Sequence, residues 1–139
     1  MKKSIRRQRF TLIEVVVAIV IVVTLASVAA PLYLNYIEKA NVGAAKTQIK
    51  LIEDALTGYR LDIGSYPTGD AGLQSLVENS DNNEKWNGPY IKPAVPKDPW
   101  GNDYVYTCPG EHGDYDLVCY GADGQPGGEG DNADITNWE

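Results

Sequence analysis

Two cysteines, one histidine, one methionine and one phenylalanine are all that the 139 residues contain of those types. Each scarcity closes off a class of chemistry. His112 has no second imidazole to share a zinc ion with, and its setting, Pro-Gly-Glu-His-Gly-Asp, reads as a polar turn or a subunit contact. Cys108 and Cys119 are too far apart for a C-x-x-C redox pair. The chain has no P-loop, no G-x-G-x-x-G and no serine in a nucleophile motif, which reads as a non-enzyme. Acidic charge is missing from the first 13 residues, which carry Lys2, Lys3, Arg6, Arg7 and Arg9. All 19 acids but only seven of the 12 Lys and Arg lie beyond residue 9, so that part has a formal charge of −12. Such a body repels phosphate backbones and argues against nucleic-acid binding.

The chain does contain one long apolar run. Between Phe10 and Ala30 only Thr11, Glu14, Thr24 and Ser27 are polar. As a helix this stretch is about 31 Å long, close to the hydrocarbon thickness of a bilayer. The basic residues ahead of it hold that end in the cytoplasm, so the remainder faces outward. Ala-Ser-Val-Ala-Ala offers only a weak signal-peptidase site, and the run is long for a cleaved signal. Glu14 sets the segment apart from a plain anchor. A carboxylate in a spanning helix costs roughly 3 kcal/mol and normally has a partner. Such a partner would be an amine, either a new one at Phe10 or that of a neighbouring chain, which points to helices that leave the bilayer and pack together.

Pro31 lacks an amide hydrogen and predicts a kink. Helical patterning then resumes. Ala45, Ile49, Ile52, Leu56, Tyr59 and Ile63 form one stripe at spacings of four and three, and Gly64 and Pro67 end it. From Phe10 to Ile63 such a helix would be about 80 Å long, a shape suited to polymerisation. A short second helix is expected around Gly72–Glu78, capped by Thr68 or Asp70, with Leu73, Leu76 and Val77 inward. Residues 86–102 hold four prolines, yet Trp86, Tyr90, Ile91 and Trp100 supply the apolar surface of an ordered loop. Tyr104–Cys108 and Tyr115–Tyr120 predict an antiparallel hairpin. The expected class is α+β: a long helix on a small antiparallel sheet. Its segments are residues 1–9 (basic leader), 10–30 (membrane and assembly helix), 31–64 (the outward part of the helix) and 65–139 (globular head).

The tail Gly-Ala-Asp-Gly-Gln-Pro-Gly-Gly-Glu-Gly-Asp-Asn-Ala-Asp-Ile combines Asp123, Glu129, Asp131 and Asp134 with turn-forming glycines. Mixed oxygen donors without histidine or thiolate suit a hard cation such as calcium, though the spacing is not that of an EF-hand. A solvated acidic loop explains the same residues. Cys108 and Cys119 lie on the two candidate strands. In an oxidising compartment they can form a disulfide, the alternative being two buried thiols.

Arg-Phe-Thr-Leu-Ile-Glu-Val, the Val/Ile/Ala run and Pro31 resemble the amino-terminal signal of type IV pilins and pseudopilins. Tyr66–Leu76, Trp86–Ile91, Pro96–Asn102, Pro109–Asp116 and Gly121–Ile135 narrow the resemblance to the major pseudopilins of type II secretion, over nearly the whole chain. The resemblance implies a pilin-like fold and cleavage before Phe10 by a prepilin peptidase, with N-methylation of Phe10. Arg9 stands where that family carries glycine. It assigns Glu14 and Pro31 to assembly. It also implies calcium in the tail loop, held by the side chains of Asp123, Asp131 and Asn132 and by carbonyls near Tyr120, Gln125 and Gly128, with Asp134 as an alternate or outer acceptor. The implied partners are further copies in a homopolymer, minor pseudopilins, an inner-membrane secretion platform, exported proteins and membrane lipid. The implied location is the bacterial inner membrane with a periplasmic head. The remaining alternatives are a type IV pilin for adhesion, motility or DNA uptake, and a monomeric anchored calcium-binding module.

Overall fold

The computed structural model describes residues 10–138; the expected leader, with Arg9, lies outside them. Helix α1, Leu12–Ile63, runs through Pro31. Three short strands follow: β1 (Val105–Thr107), β2 (Asp116–Cys119) and β3 (Ile135–Thr136). The chain divides after Ile37 into two compact units, and α1 contributes to both.

Among the described residues, the first unit is an apolar helix that no other segment covers. Val15, Ile19, Val22, Leu25 and Val28 are all exposed, and none of the most apolar window is buried. This segment alone among the described residues is long and apolar enough to cross a membrane.

The second unit is built on the periodic stripe. Ala45, Ile49, Ile52, Leu56 and Tyr59 are buried as expected, joined by Ala55, while Ile63 is partly buried. Against them sit Leu73, Leu76, Tyr104, Leu117, Cys119 and Ile135. Each fully buried aliphatic side chain, such as Ile52, Leu56 or Leu117, contributes about 1.5–3 kcal/mol relative to exposure. Gly64 takes a φ of +98°, and its amide still reaches Arg60 O at 2.8 Å, so the helix stops where a left-handed residue permits it.

The expected second helix is a single 3₁₀ turn, Gly72–Leu76, without a side-chain cap, so neither Thr68 nor Asp70 plays that part. Its role is to bury Leu73 and Leu76 and to offer carbonyls to the proline-rich loop. Trp86 Nε1 donates to Ser75 O at 2.9 Å, and Tyr90 N donates to Leu76 O at 2.7 Å. Tyr90 OH donates to Asp62 at 2.7 Å, and its ring meets Tyr59 and Trp86 edge-on. The loop is thus fastened through Trp86 and Tyr90, as its composition predicts.

The sheet is antiparallel in the order β1-β2-β3. Val105 faces Val118 and Thr107 faces Asp116, while Cys119 faces Ile135. This register corrects one expectation. Continued outward, it places Cys108 opposite Tyr115, at the far end of the hairpin from Cys119. Four residue rises along a strand are about 13 Å, well beyond the span a disulfide tolerates. Both thiols are free. Cys108 Sγ lies 3.5 Å from Asp114 O, and Cys119 is buried against Asp98.

Candidate functional site: the carboxylate loop and the head of the helix

The glycine-rich tail forms a loop between β2 and β3. Gly121 opens it at a φ of +65°, where a Cβ would lie 2.6 Å from Asp131 O. Gly128, at +95°, is crowded in the same way by the Asn132 carbonyl. These two positions need glycine for both conformation and space. Ala122 N donates to Asp131 O at 2.9 Å and closes the loop. Asp131 and Asn132 lie in a 3₁₀ turn, Gly130–Asn132.

The expected ligands are not equally placed. Asp123 is exposed, and its Oδ1 accepts from Gln125 N at 3.1 Å, closing a local turn. Gln125, Gly128 and Asn132 are exposed, and Tyr120 is half-buried. Asp131 Oδ1 and Asp134 Oδ1 are shielded from solvent with no hydrogen-bond partner. Asp134 Oδ2 is occupied by Gly127 N at 2.9 Å. No three His, Cys, Asp or Glu side chains among the described residues converge as a metal-binding group. A cation here would therefore rest on two carboxylates plus main-chain and amide oxygens. That donor set suits calcium, and orphaned carboxylate oxygens are costly without a counter-charge. The residues present fit the ion, with Asp134 weighing more and Asp123 less than their sequence positions imply.

The loop is braced from outside by residues that sequence reasoning passed over. Asn102 Nδ2 donates to Gly121 O at 3.2 Å. Asp98, only 5% exposed, accepts from Trp100 N at 3.0 Å and Asn102 N at 2.7 Å, and Cys119 Sγ donates to its other oxygen at 3.3 Å. The signal was present in Pro-Lys-Asp-Pro-Trp-Gly-Asn, since Asp before Pro-x-Gly is an Asx-turn pattern. Burial pushes the Cys119 thiol up to about 11, the Gly121 amide opposing and Asp98 reinforcing the rise. Burial likewise raises the Tyr104 hydroxyl, with Cys119 and Asp98 adding to it.

His112 belongs to a clasp at the carboxyl terminus. Its ring stacks on Trp138 at 4.0 Å and 7°, and Nδ1 lies 3.0 Å from Asp116 Oδ2. Asp116 also accepts from Glu111 N at 2.9 Å and His112 N at 3.2 Å. Burial opposes its ionisation, but the imidazole and the two amides outweigh it and hold the carboxyl below its ordinary 3.8. A depressed folded value stabilises the fold above the unfolded pKa and loses that contribution as pH falls through the folded one. The stability gap between the parent and Asp116→Asn is therefore expected to be full at pH 6 and to narrow as pH drops below 4. Urea unfolding at stepped pH measures it; parallel curves would contradict the role.

At the other end of the chain, Glu14 N donates to Thr11 Oγ1 at 3.3 Å, and Thr11 N reaches Glu14 Oε2 at 3.5 Å. The pair forms a reciprocal capping box, which satisfies amide donors at the start of α1. Phe10 is 78% exposed beside it, and Pro31 lies inside the helix.

A bare apolar helix that continues into the core of a small three-stranded head defines a pilin-like subunit. A family model described as type II secretion system (T2SS), protein G, matches residues 32–138. The type II secretion system core protein G of Vibrio cholerae is 50% identical, covering 99% of this chain and 96% of that protein. Its Escherichia coli K12 counterpart is 46% identical over 99% and 95% of the two chains. The Pseudomonas aeruginosa protein is 42% identical over 96% and 98%. The crystal structure of the major pseudopilin from the type 2 secretion system of enterohaemorrhagic E. coli superposes with a TM-score of 0.62 at 36% identity, covering 76% of this chain and 92% of that one. The chain belongs to the type II secretion system protein G family.

Proposed function

We propose that this chain is the main structural subunit of a type II secretion pseudopilus, a non-enzymatic protein that polymerises through its apolar helix. The observation that carries the reading is the wholly uncovered apolar surface of the first unit. Water cannot be its resting environment, because exposed aliphatic area of that extent drives burial. Lipid covers it in the inner-membrane precursor, with the head in the periplasm. The helices of neighbouring copies cover it in the fibre. Prepilin peptidase cleavage before Phe10, followed by N-methylation, supplies a new amine beside Glu14. Transfer of Glu14 from its capping box to an amine, on its own or a neighbouring chain, then compensates its charge in the fibre. Growth from the inner-membrane platform, with minor pseudopilins at the fibre, moves folded exported proteins across the outer membrane.

The carboxylate loop is the proposed calcium site, held by Asp131 and Asp134 with Asp123, Asn132 and carbonyls of the loop. Calcium supplies the positive counter-charge there. The chain's own part is to aim oxygens through left-handed glycines and to fasten the loop to β2 through Asn102.

The test is electron microscopy of sheared material with intact-mass analysis of the subunit. The parent is expected to form fibres of a methylated chain beginning at Phe10. Glu14→Ala is expected to lose fibres at least tenfold while the head melts within about 1 °C of the parent, since surface changes remote from it cost little. Normal fibre yield in that variant, or fibres retaining residues 1–9, would refute the corresponding step.

A further inference from the structure

The sequence places Tyr33 and Tyr36 just beyond the apolar run, and the structure leaves them 66% and 74% exposed. They are three residues apart on one helix, so they lie on neighbouring positions of one face. Neither has a side-chain hydrogen bond or an aromatic partner among the described contacts. Between Glu14 and Glu38 there is no charged residue at all. The uncharged run, Val15 to Ile37, is therefore 23 residues, or about 35 Å of helix, and extends seven residues past Ala30. Leu32, Leu34 and Ile37 prolong its apolar character past Pro31.

Two depths in a bilayer are then available. If the hydrocarbon ends at Ala30, Glu14 lies about 24 Å below that boundary and remains inside a hydrocarbon layer about 30 Å thick. If it ends at Tyr33, Glu14 lies about 28 Å below, within about 2 Å of the opposite boundary, a gap that its side chain spans to the headgroup region. Tyrosine favours the membrane–water interface, where its ring is apolar-facing and its hydroxyl is wet. A carboxylate favours leaving the hydrocarbon. Both preferences select the second depth.

We propose that Tyr33 and Tyr36 form a lipid-interface anchor on the head side of the bilayer, setting the helix at the depth that keeps Glu14 at the opposite headgroup boundary. The partner is the phospholipid headgroup and carbonyl layer. The proposal rests on the membrane-anchor reading and refines where that anchor ends. Its functional consequence is positional. Glu14 and the Phe10 junction are held at the surface where processing and extraction begin, and the carboxylate enters an apolar surrounding only when an amine can accompany it.

The test uses the full chain in phosphatidylethanolamine–phosphatidylglycerol vesicles, reacted with N-ethylmaleimide, which modifies only water-exposed thiolates. Ala26→Cys, Ala30→Cys, Leu32→Cys, Leu34→Cys and Ala40→Cys variants are compared by peptide-resolved mass spectrometry, with half-buried Cys108 as the internal rate reference and buried Cys119 as the unreactive control. Thiols at 26 through 34 are expected to react at least tenfold more slowly than the one at 40. Combining each with Tyr33→Ala and Tyr36→Ala is expected to speed positions 32 and 34 at least threefold, and Tyr33→Trp with Tyr36→Trp to restore the parent rates. Fast reaction at 32 and 34 with slow reaction at 26 and 30 places the boundary at Ala30 and overturns the proposal while leaving the anchor intact. Fast reaction at 26 and 30 defeats the anchor reading itself. Slow reaction at 32 and 34 that survives loss of the tyrosines and disappears on dilution to one chain per vesicle assigns the face to a second copy and overturns the proposal.

Discussion

Calcium at a hundredfold excess over its Kd is expected to raise the stability of the full chain in detergent by about 2.7 kcal/mol, a gain of about 10 °C or more for a head of this size. The reason is local. Asp131 Oδ1 and Asp134 Oδ1 are shielded from water and have no donor, so the loop carries an uncompensated penalty that a divalent cation would remove. Asp131→Asn separates this from a general salt effect by its sign. With calcium the variant melts well below the parent. In chelator it melts at or above the parent, because the orphaned charge is gone. Asp123→Ala retains more of the gain than Asp131→Asn, since Asp123 is exposed and already engaged with the Gln125 amide. Differential scanning fluorimetry with calcium, with magnesium and with chelator reads all three. Superimposable parent curves in calcium and chelator would remove the site.

Asp98→Ala is expected to cost about 2–5 kcal/mol. Two partly buried amides, Trp100 N and Asn102 N, lose their acceptor together with the Cys119 thiol, and each donor left unsatisfied costs about 1–3 kcal/mol. Asp98→Asn keeps a carbonyl at Oδ1 and should lose less than half as much. The damage also extends to the carboxylate loop. Asn102, positioned by Asp98, holds Gly121 at the start of that loop, so calcium affinity should fall in Asp98→Ala although Asp98 is not a proposed ligand. Urea unfolding and calcium titration of one preparation give both quantities. A loss below about 1 kcal/mol would show that water replaces the carboxylate without penalty.

The helix was legible because its signals are local. The stripe from Ala45 to Tyr59 repeats at helical spacing and is buried residue for residue, and Gly64 stops it where a stop is written. The expectation around Gly72–Glu78 had two inward residues right, Leu73 and Leu76, but Val77 is only half-buried, and the helix type and the cap were wrong. Four or five residues do not carry enough turns to separate a 3₁₀ turn from an α-helix. Cys108 and Cys119 show the larger gap. Cys119 ends β2 and Cys108 follows β1 directly, yet whether they meet depends on register. Register is set by Leu117 and Cys119 seeking the core and by Asp116 seeking the His112 turn. No spacing between the two cysteines contains that information.

The sequence by itself determined what arises from neighbours along the chain: a membrane-length apolar run headed by Glu14, an amphipathic continuation, an aromatic-anchored proline loop and an oxygen-rich tail. Only the tertiary structure decided which carboxylates matter and what supports them. Asp131 and Asp134 owe their orphaned oxygens to the closure of the loop. Asp98 adds to its local turn a contact with Cys119, 21 residues away, and through Asn102 a hold on Gly121. Periodicity is a property of the local backbone, whereas burial and hydrogen-bond satisfaction are properties of segments that meet only once the chain has folded.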